Sequence, residues 1–155
     1  MLIVSAPLSA VDPALSEIVL KVDRRTLAKR LWRGVAEDGA EFGFQLEEPL
    51  RHAMAFHQTV AARYVIAQEP EAVLEIALDL SASAAAGVGW AAGNLHLEFS
   101  SESTRLLTPD EPAARQLLER IQISYKPTMA VFRAGRFARG TPSALPHELG
   151  SSHKH

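Results

Sequence analysis

Residues 82–99 read Ala-Ser-Ala-Ala-Ala-Gly-Val-Gly-Trp-Ala-Ala-Gly-Asn-Leu-His-Leu-Glu-Phe, and this stretch decides the fold. The small side chains of residues 81–92 predict a helix that packs closely against a neighbour, with Ser81 or Ser83 as its N-cap. The Gly93-Asn94 pair predicts the end of the helix, because both residues adopt positive φ easily. Residues 95–99 follow as a strand-like run.

The segments on either side complete a pattern of four strands and two helices. Residues 73–78 predict a strand before the first helix, and residues 104–107 predict another after the run at 95–99. Residues 108–112 open a second helix with prolines near its first turn. The apolar positions of that helix share one face; they are Ala113, Leu117, Leu118 and Ile121. A last strand is predicted over 129–133, and the order of elements is the ferredoxin-like βαββαβ pattern.

The first half of the chain reads as a small β domain. The Asp-Gly pair at 38–39 is a hairpin signal between strand candidates 31–36 and 41–46. Further strand candidates cover 18–22 and 63–66. We therefore predict an α+β chain. Its parts are an N-terminal all-β domain at 1–72, a C-terminal ferredoxin-like domain at 73–140, and a flexible, His-containing tail at 141–155.

Composition excludes several classes of protein. The 155 residues carry a formal net charge of −2, so no overall field favours nucleic acid or a membrane surface. There is no cysteine, which excludes disulfides, thiolate nucleophiles and sulfur-rich metal sites. The N-terminus has no basic region and predicts a strand instead of a secretion signal. Residues 80–97 are uncharged but mostly Ala, Ser and Gly, so we expect a cytoplasmic protein and no membrane segment.

The histidines are the residues most able to carry chemistry. His96 is either a structural residue or a metal ligand, and alone it would be a poor metal site. A two-fold dimer would present it twice and so supply two imidazoles. The second candidate set consists of His147, His153 and His155, which lie within the last nine residues; His-rich termini often bind metal loosely. We interpret His52 and His57 as structural or surface histidines.

Two clusters of basic residues leave a further reading open. One cluster comprises Arg24, Arg25, Lys29, Arg30 and Arg33, and the other comprises Lys126, Arg133, Arg136 and Arg139. Each is a solvated face, a docking surface for an acidic partner, or an RNA-binding surface helped by Phe132 and Phe137. No nucleophile–base set or carboxylate pair is visible, so we predict that the chain is not an enzyme.

Taken together, these segments resemble the UreE family of urease accessory proteins. The first half matches in residues 38–39, 41–46 and 49–51, and in the strands 64–66 and 72–76. The second half matches in residues 93–96, Gly-Asn-Leu-His, and in residues 108–110 leading into 117–119. Leu95 stands where the family has arginine, and Glu98 stands where proline is common. The order and spacing of these segments carry the resemblance.

The resemblance implies a homodimeric nickel metallochaperone. It implies a partner-binding β domain and a ferredoxin-like domain that dimerises and binds Ni²⁺ across the dimer axis through His96. The tail histidines His147, His153 and His155 would add ligands. Copper or zinc would also bind imidazole in vitro. The implied partners are the urease accessory GTPase (UreG) and apo-urease with its other accessory proteins, with no membrane or nucleic acid involved. The rival reading is a metal-independent, two-domain adaptor that docks a protein or RNA through the basic clusters.

Overall fold

A computed structural model describes residues 1–139 of the chain, and these fall into two compact units. The first unit consists of Met1–Ala72 together with Met129–Phe132. The second consists of Val73–Thr128 and the chain from Arg133 onward. The tail predicted at 141–155, with His147, His153 and His155, lies outside the described residues.

The first unit contains two three-stranded sheets and a short helix. Its elements are β1 (Leu2–Val4), β2 (Ser16–Val22), α1 (Arg24–Leu27), β3 (Leu31–Val35), β4 (Glu41–Gln45), β5 (Ala55–Gln58) and β6 (Ala62–Gln68). One sheet has the order β1-β4-β3 and the other has the order β2-β6-β5. In each sheet the central strand pairs with one neighbour in parallel and with the other antiparallel. The first half is therefore mostly β, as predicted, but α1 corrects the expectation of an all-β domain.

The β3–β4 hairpin shows how the sequence builds this unit. Gly39 has a φ of 86°, which places it in the left-handed region that glycine adopts without strain. The turn brings Trp32 opposite Phe44 across the two strands, and their rings stack with centroids 3.9 Å apart. Phe42 and Phe44 alternate with Glu41, Gly43 and Gln45, so one face of β4 enters the core. The hairpin that the Asp-Gly pair predicts is thus confirmed.

The rest of the described chain contains a four-stranded sheet and two helices, which belong to the second unit except that β7 begins and β10 ends in residues of the first. Its elements are β7 (Glu71–Ala77), α2 (Ala82–Asn94), β8 (Ser100–Ser101), β9 (Arg105–Pro109), α3 (Pro112–Arg120) and β10 (Lys126–Ala130). The strand order is β10-β7-β9-β8, and β9 runs antiparallel to both β7 and β8. The chain is therefore α+β, with strands and helices combined in its second half.

A compact apolar core holds α2 and α3 in this unit. Leu74, Ile76, Val88, Leu106, Ala114 and Leu118 are all buried in it. Of the predicted apolar face of α3, Leu117 and Leu118 are buried and Ile121 packs against the core, whereas Ala113 is exposed and Ala114 is buried in its place. Pro112 occupies the first turn of α3, as the sequence indicates.

Two predicted strands differ from the structure. Residues 95–99 form no strand, and the only pairing nearby is the two-residue β8. The last strand begins at Lys126, three residues earlier than predicted, and includes Pro127. Proline cannot donate to a ladder, but β10 is an edge strand of the sheet, where a missing N–H is tolerated.

Candidate functional site

The candidate metal ligand His96 lies in the turn that ends α2. The N–H of His96 donates to the carbonyl of Gly93 at 3.0 Å, and the N–H of Leu97 donates to the carbonyl of Ala92 at 3.0 Å. These two bonds form a Schellman motif, the helix C-terminus in which the residue after the cap turns left-handed. In this motif the left-handed residue is His96 itself, with a φ of 55°.

This turn explains why the sequence-based prediction was wrong here. Gly93 and Asn94 remain inside the helix, which runs two residues past the predicted end. Leu97 and Phe99 pack against the core of the second unit, so the residues that looked like a strand anchor the turn. Glycine usually occupies the left-handed position because other residues are strained there, although histidine is among those found there more often.

The turn projects His96 from the fold. The residue is exposed, and so are its neighbours Asn94 and Leu95. A backbone strained at an exposed, chemically competent side chain suggests a functional constraint, because glycine would satisfy the turn at lower cost.

The helix that leads to His96 presents an exposed face of small residues. Only Val88 and Ala92 of α2 are buried. The opposite face carries Gly87, Trp90, Gly93 and Asn94, which are exposed and lie about one turn apart. Trp90 is 73% exposed, and a Cβ built on Gly87 or Gly93 would meet no atom within 4 Å. This face is therefore flat between the indole of Trp90 and the amide side chain of Asn94.

Within the described residues, 1–139, no three His, Asp or Glu side chains converge as a metal site would require. The Nδ1 atom of His52 accepts a hydrogen bond from the N–H of Gln68 at 3.0 Å. His57 lies on β5, and its ring centroid is 5.5 Å from those of both Phe42 and Tyr64. Both histidines have structural contacts, as the sequence suggests.

In the first basic cluster, Arg24 has a structural role, whereas the other residues form no ion pair with the described part of the chain. Arg24 binds Glu71 through two hydrogen bonds of 2.8 and 2.9 Å, and its guanidinium lies 4.9 Å from the centre of the Phe132 ring. Arg25, Lys29, Arg30 and Arg33 are exposed, and none has an ion pair with a residue in the described part of the chain.

The RNA-binding reading loses one of its two aromatic residues. Phe132 is fully buried, and its carbonyl accepts a hydrogen bond from Nε2 of Gln68 at 2.6 Å. A buried ring offers no face on which a base could stack. Phe137 is exposed, but a single ring is a weak platform for a nucleic acid.

Ion pairs that stabilise the fold shift the pKa values of the side chains that form them. The guanidinium of Arg115 donates two hydrogen bonds to Asp110, at 2.7 and 2.8 Å, and lowers the pKa of that carboxyl. Arg105 joins β9 to β7 through Glu75 at 2.9 Å, and this hydrogen bond raises the pKa of Arg105. These pairs lie in strands and at helix starts, where they stabilise the fold. Within residues 1–139, no helix is both long and apolar enough to cross a bilayer.

Comparison with known proteins decides the family. Residues 71–155 match the family model described as the C-terminal domain of the UreE urease accessory protein. The chain is also 32% identical, over 125 residues, to the urease accessory protein UreE of Deinococcus radiodurans, and the match covers 77% of each chain. The chain belongs to the UreE family. The match to the UreE C-terminal domain includes His96 and all three tail histidines.

Proposed function

We propose that this UreE-family chain is a metallochaperone that binds Ni²⁺ and delivers it for assembly of the urease active site. Its membership of a urease accessory family supports this role. The observation that carries the metal part of the proposal is His96, an exposed imidazole held in a left-handed turn that glycine would occupy at lower cost. Neutral imidazole is a ligand that suits nickel.

We propose that the nickel site is shared between two copies of the chain. One imidazole is insufficient, and residues 1–139 supply no second and third ligand beside it. Two-fold symmetry would bring two His96 side chains to one axis. His147, His153 and His155 of the tail would complete the coordination.

The end of α2 is also electrostatically suited to a cation. The carbonyl end of a helix carries a partial negative charge, and a cation is stabilised there. The last turn of α2 contains no basic residue that would repel the metal. A nickel ion held by His96 would therefore benefit from the helix dipole.

The dimer would form through the second unit. We infer that this unit is ferredoxin-like, because it has the element order βαββαβ and the strand order β10-β7-β9-β8. The exposed face of α2, with Gly87, Trp90 and Gly93, is a surface on which two helices can approach closely. Since the face ends at His96, such contact would bring the two imidazoles together.

We assign partner binding to residues 1–72, metal binding and dimerisation to residues 73–140, and additional metal ligands to the tail at 141–155. The partners would be the urease accessory GTPase (UreG) and apo-urease with its other accessory proteins, in the cytoplasm. A carrier of this kind binds and releases an ion and catalyses no reaction.

Calorimetric titration of the metal-free protein with nickel tests this function. We expect one shared ion per dimer with an affinity of about micromolar or tighter. His96→Ala should abolish this binding, and a chain truncated after Gly140 should retain the ion with lower affinity. Nickel binding that survives His96→Ala but disappears on truncation would move the site to the tail. No binding by the full chain would refute the proposal.

A further inference from the structure

One surface of the first unit combines exposed apolar side chains with an unpaired cation. It is the side of the β1-β4-β3 sheet that faces away from Phe42 and Phe44, and we call it the outer face. Ile3, Leu31, Arg33, Val35 and Gly43 form its centre, with Glu41, Gln45 and Met1 at its borders. Leu31 is 72% exposed, and Ile3 and Val35 are each more than half exposed.

The register of the sheet places these residues in rows. Gly43 pairs with Ile3 on one side and with Arg33 on the other. Gly43 itself is buried, because the side chains of Ile3 and Met1 cover its backbone. A Cβ at Gly43 would lie only 2.9 Å from Cδ1 of Ile3, so the isoleucine already leans over the glycine backbone.

Two shallow cavities lie on the outer face. Their volumes are about 350 Å³ and 270 Å³, and both are lined by Met1 and Arg33. The larger extends past Leu31 and Gln45, and the smaller past Val35 and Glu41. Each can hold an apolar side chain, and both lie within reach of the same guanidinium.

Charge indicates which kind of segment fits. Arg33 is exposed among apolar side chains and forms no ion pair with any described residue. Arg30 and Lys29, which immediately precede β3, are likewise exposed and unpaired within residues 1–139. The end of the outer face at Leu31 is therefore cationic. A carboxylate that contacts Arg33 would gain a charge-assisted hydrogen bond in a partly apolar setting.

We propose that the outer face docks an apolar segment of a partner protein that carries a carboxylate. Its apolar side chains would enter the two cavities beside Leu31 and Val35, and its carboxylate would bind Arg33. This inference rests on the proposed partner-binding role of residues 1–72 and adds the surface and the chemistry of the ligand. It requires neither nickel nor His96.

Fluorescence anisotropy with a synthetic probe tests the inference on the full-length, metal-free chain. The probe is a labelled short peptide that alternates leucine with aspartate. A second peptide has lysine in place of aspartate, and a third has serine in place of leucine. We expect the leucine-aspartate peptide to bind most tightly, with its effect on methyl resonances confined to Ile3, Leu31 and Val35.

Matched variants distinguish binding at the outer face from nonspecific electrostatic or hydrophobic binding elsewhere on the protein. Arg33→Glu should weaken binding of the leucine-aspartate peptide by about tenfold and should strengthen binding of the leucine-lysine peptide. Its control is Arg51→Glu, which reverses another exposed arginine of the same unit. Leu31→Ser should weaken binding, whereas Val60→Ser, at a fully exposed position, should not.

The inference is overturned if Arg33→Glu and Arg51→Glu have equal effects, if the lysine peptide does not recover binding, or if the leucine-aspartate peptide fails to bind. Nickel titration of Arg33→Glu keeps this result separate from the metal function. If nickel binding depends on His96 while substitutions in the outer face leave peptide affinity unchanged, the docking inference fails and the metal proposal stands. If the peptide binds the outer face but neither the wild type nor any variant binds nickel, the docking inference stands and the metal proposal fails.

Discussion

At the scale of single residues, the left-handed turn at His96 is the most informative feature of the chain. Both helices of the second unit end in the same motif, and neither uses glycine: α2 ends with His96 and α3 with Gln122, whose φ is 57°. The sequence could identify His96 as a candidate ligand because histidine is chemically distinctive. It could not reveal the strain, because a nearby Gly-Asn pair offered a more usual left-handed residue.

Replacing each left-handed residue with glycine separates stability from metal binding. A left-handed conformation costs a non-glycine residue about 1–2 kcal/mol, and glycine gives back about 0.5–1 kcal/mol through its more flexible unfolded state. His96→Gly and Gln122→Gly should therefore each stabilise the protein, by about 0.5–1 kcal/mol in urea unfolding. Only His96→Gly should lose nickel binding. Loss of nickel binding in both variants would mean that nickel binding responds to any change in this unit and does not depend specifically on the His96 imidazole.

A second residue-scale prediction concerns the hydrogen bond between Asp38 and Tyr64. The Tyr64 hydroxyl donates to Oδ2 of Asp38 at 2.6 Å and ties the β3–β4 turn to β6. This bond is the main reason that the pKa of Asp38 lies below its ordinary value of 3.8, and it raises the pKa of Tyr64. A lowered carboxyl pKa means that the folded state favours the carboxylate. The stabilisation is therefore present above the unfolded pKa and is lost as pH falls through the folded one.

Tyr64→Phe should accordingly destabilise the protein at neutral pH and much less under acid conditions. We expect the difference in urea midpoint between the wild type and Tyr64→Phe to be constant near neutrality and to shrink below about pH 4. For the tyrosine, whose pKa is raised, the stabilisation is present below about pH 10 and is lost as pH rises further. A difference that does not change with pH would mean that the lost contact is one of packing and not of this hydrogen bond.

At the scale of elements, the sequence predicts most of the order of helices and strands but few of the residues at which they begin and end. The β3–β4 hairpin, α2, α3 and the strands beside them follow from turn residues and apolar periodicity. β5 was missed because its short run, Ala55–Gln58, has only Phe56 fully buried. The prediction of a strand at 95–99 was wrong because Leu97 and Phe99 pack against the core although they lie in a loop. In each failure, packing against distant parts of the unit outweighed the local pattern.

The start of α2 provides a prediction with an internal control. The Oγ atom of Ser81 accepts a hydrogen bond from the N–H of Ala84 at 3.1 Å, so Ser81 is the N-cap. Ser81→Ala should cost about 1 kcal/mol, measured as a lower unfolding midpoint. Ser83 lies two residues on, exposed inside the helix, and Ser83→Ala should be neutral or stabilise by up to about 0.5 kcal/mol. Equal effects of the two changes would contradict the assignment of the cap.

At the scale of the whole molecule, the proposed function depends on contacts that one chain does not contain. The sequence indicates an imidazole, a close-packing helix and a histidine-bearing tail, but it does not indicate which groups meet in space. Ligands contributed by a second copy follow no spacing along the chain, so a shared site leaves no motif beyond its one residue. This is why the sequence names His96 as a candidate ligand but names no ligand from a second copy, and the nickel site, including His96, is a proposal.

Trp90 provides the test of that shared site. It is 73% exposed in the single chain, on the face of α2 that ends at His96, so a dimer through this face would bury it. Trp90→Glu would place two carboxylates in that interface without disturbing the core, and the variant should be a folded monomer by light scattering. Because a monomer offers one His96, its nickel affinity should also fall. Val60→Glu, which changes a fully exposed apolar residue of the first unit, should remain dimeric and bind nickel normally. A Trp90→Glu chain that stays dimeric and keeps its nickel affinity would place the two-fold axis elsewhere on the second unit. A monomer with full nickel affinity would mean that one chain, with its tail, completes the site alone.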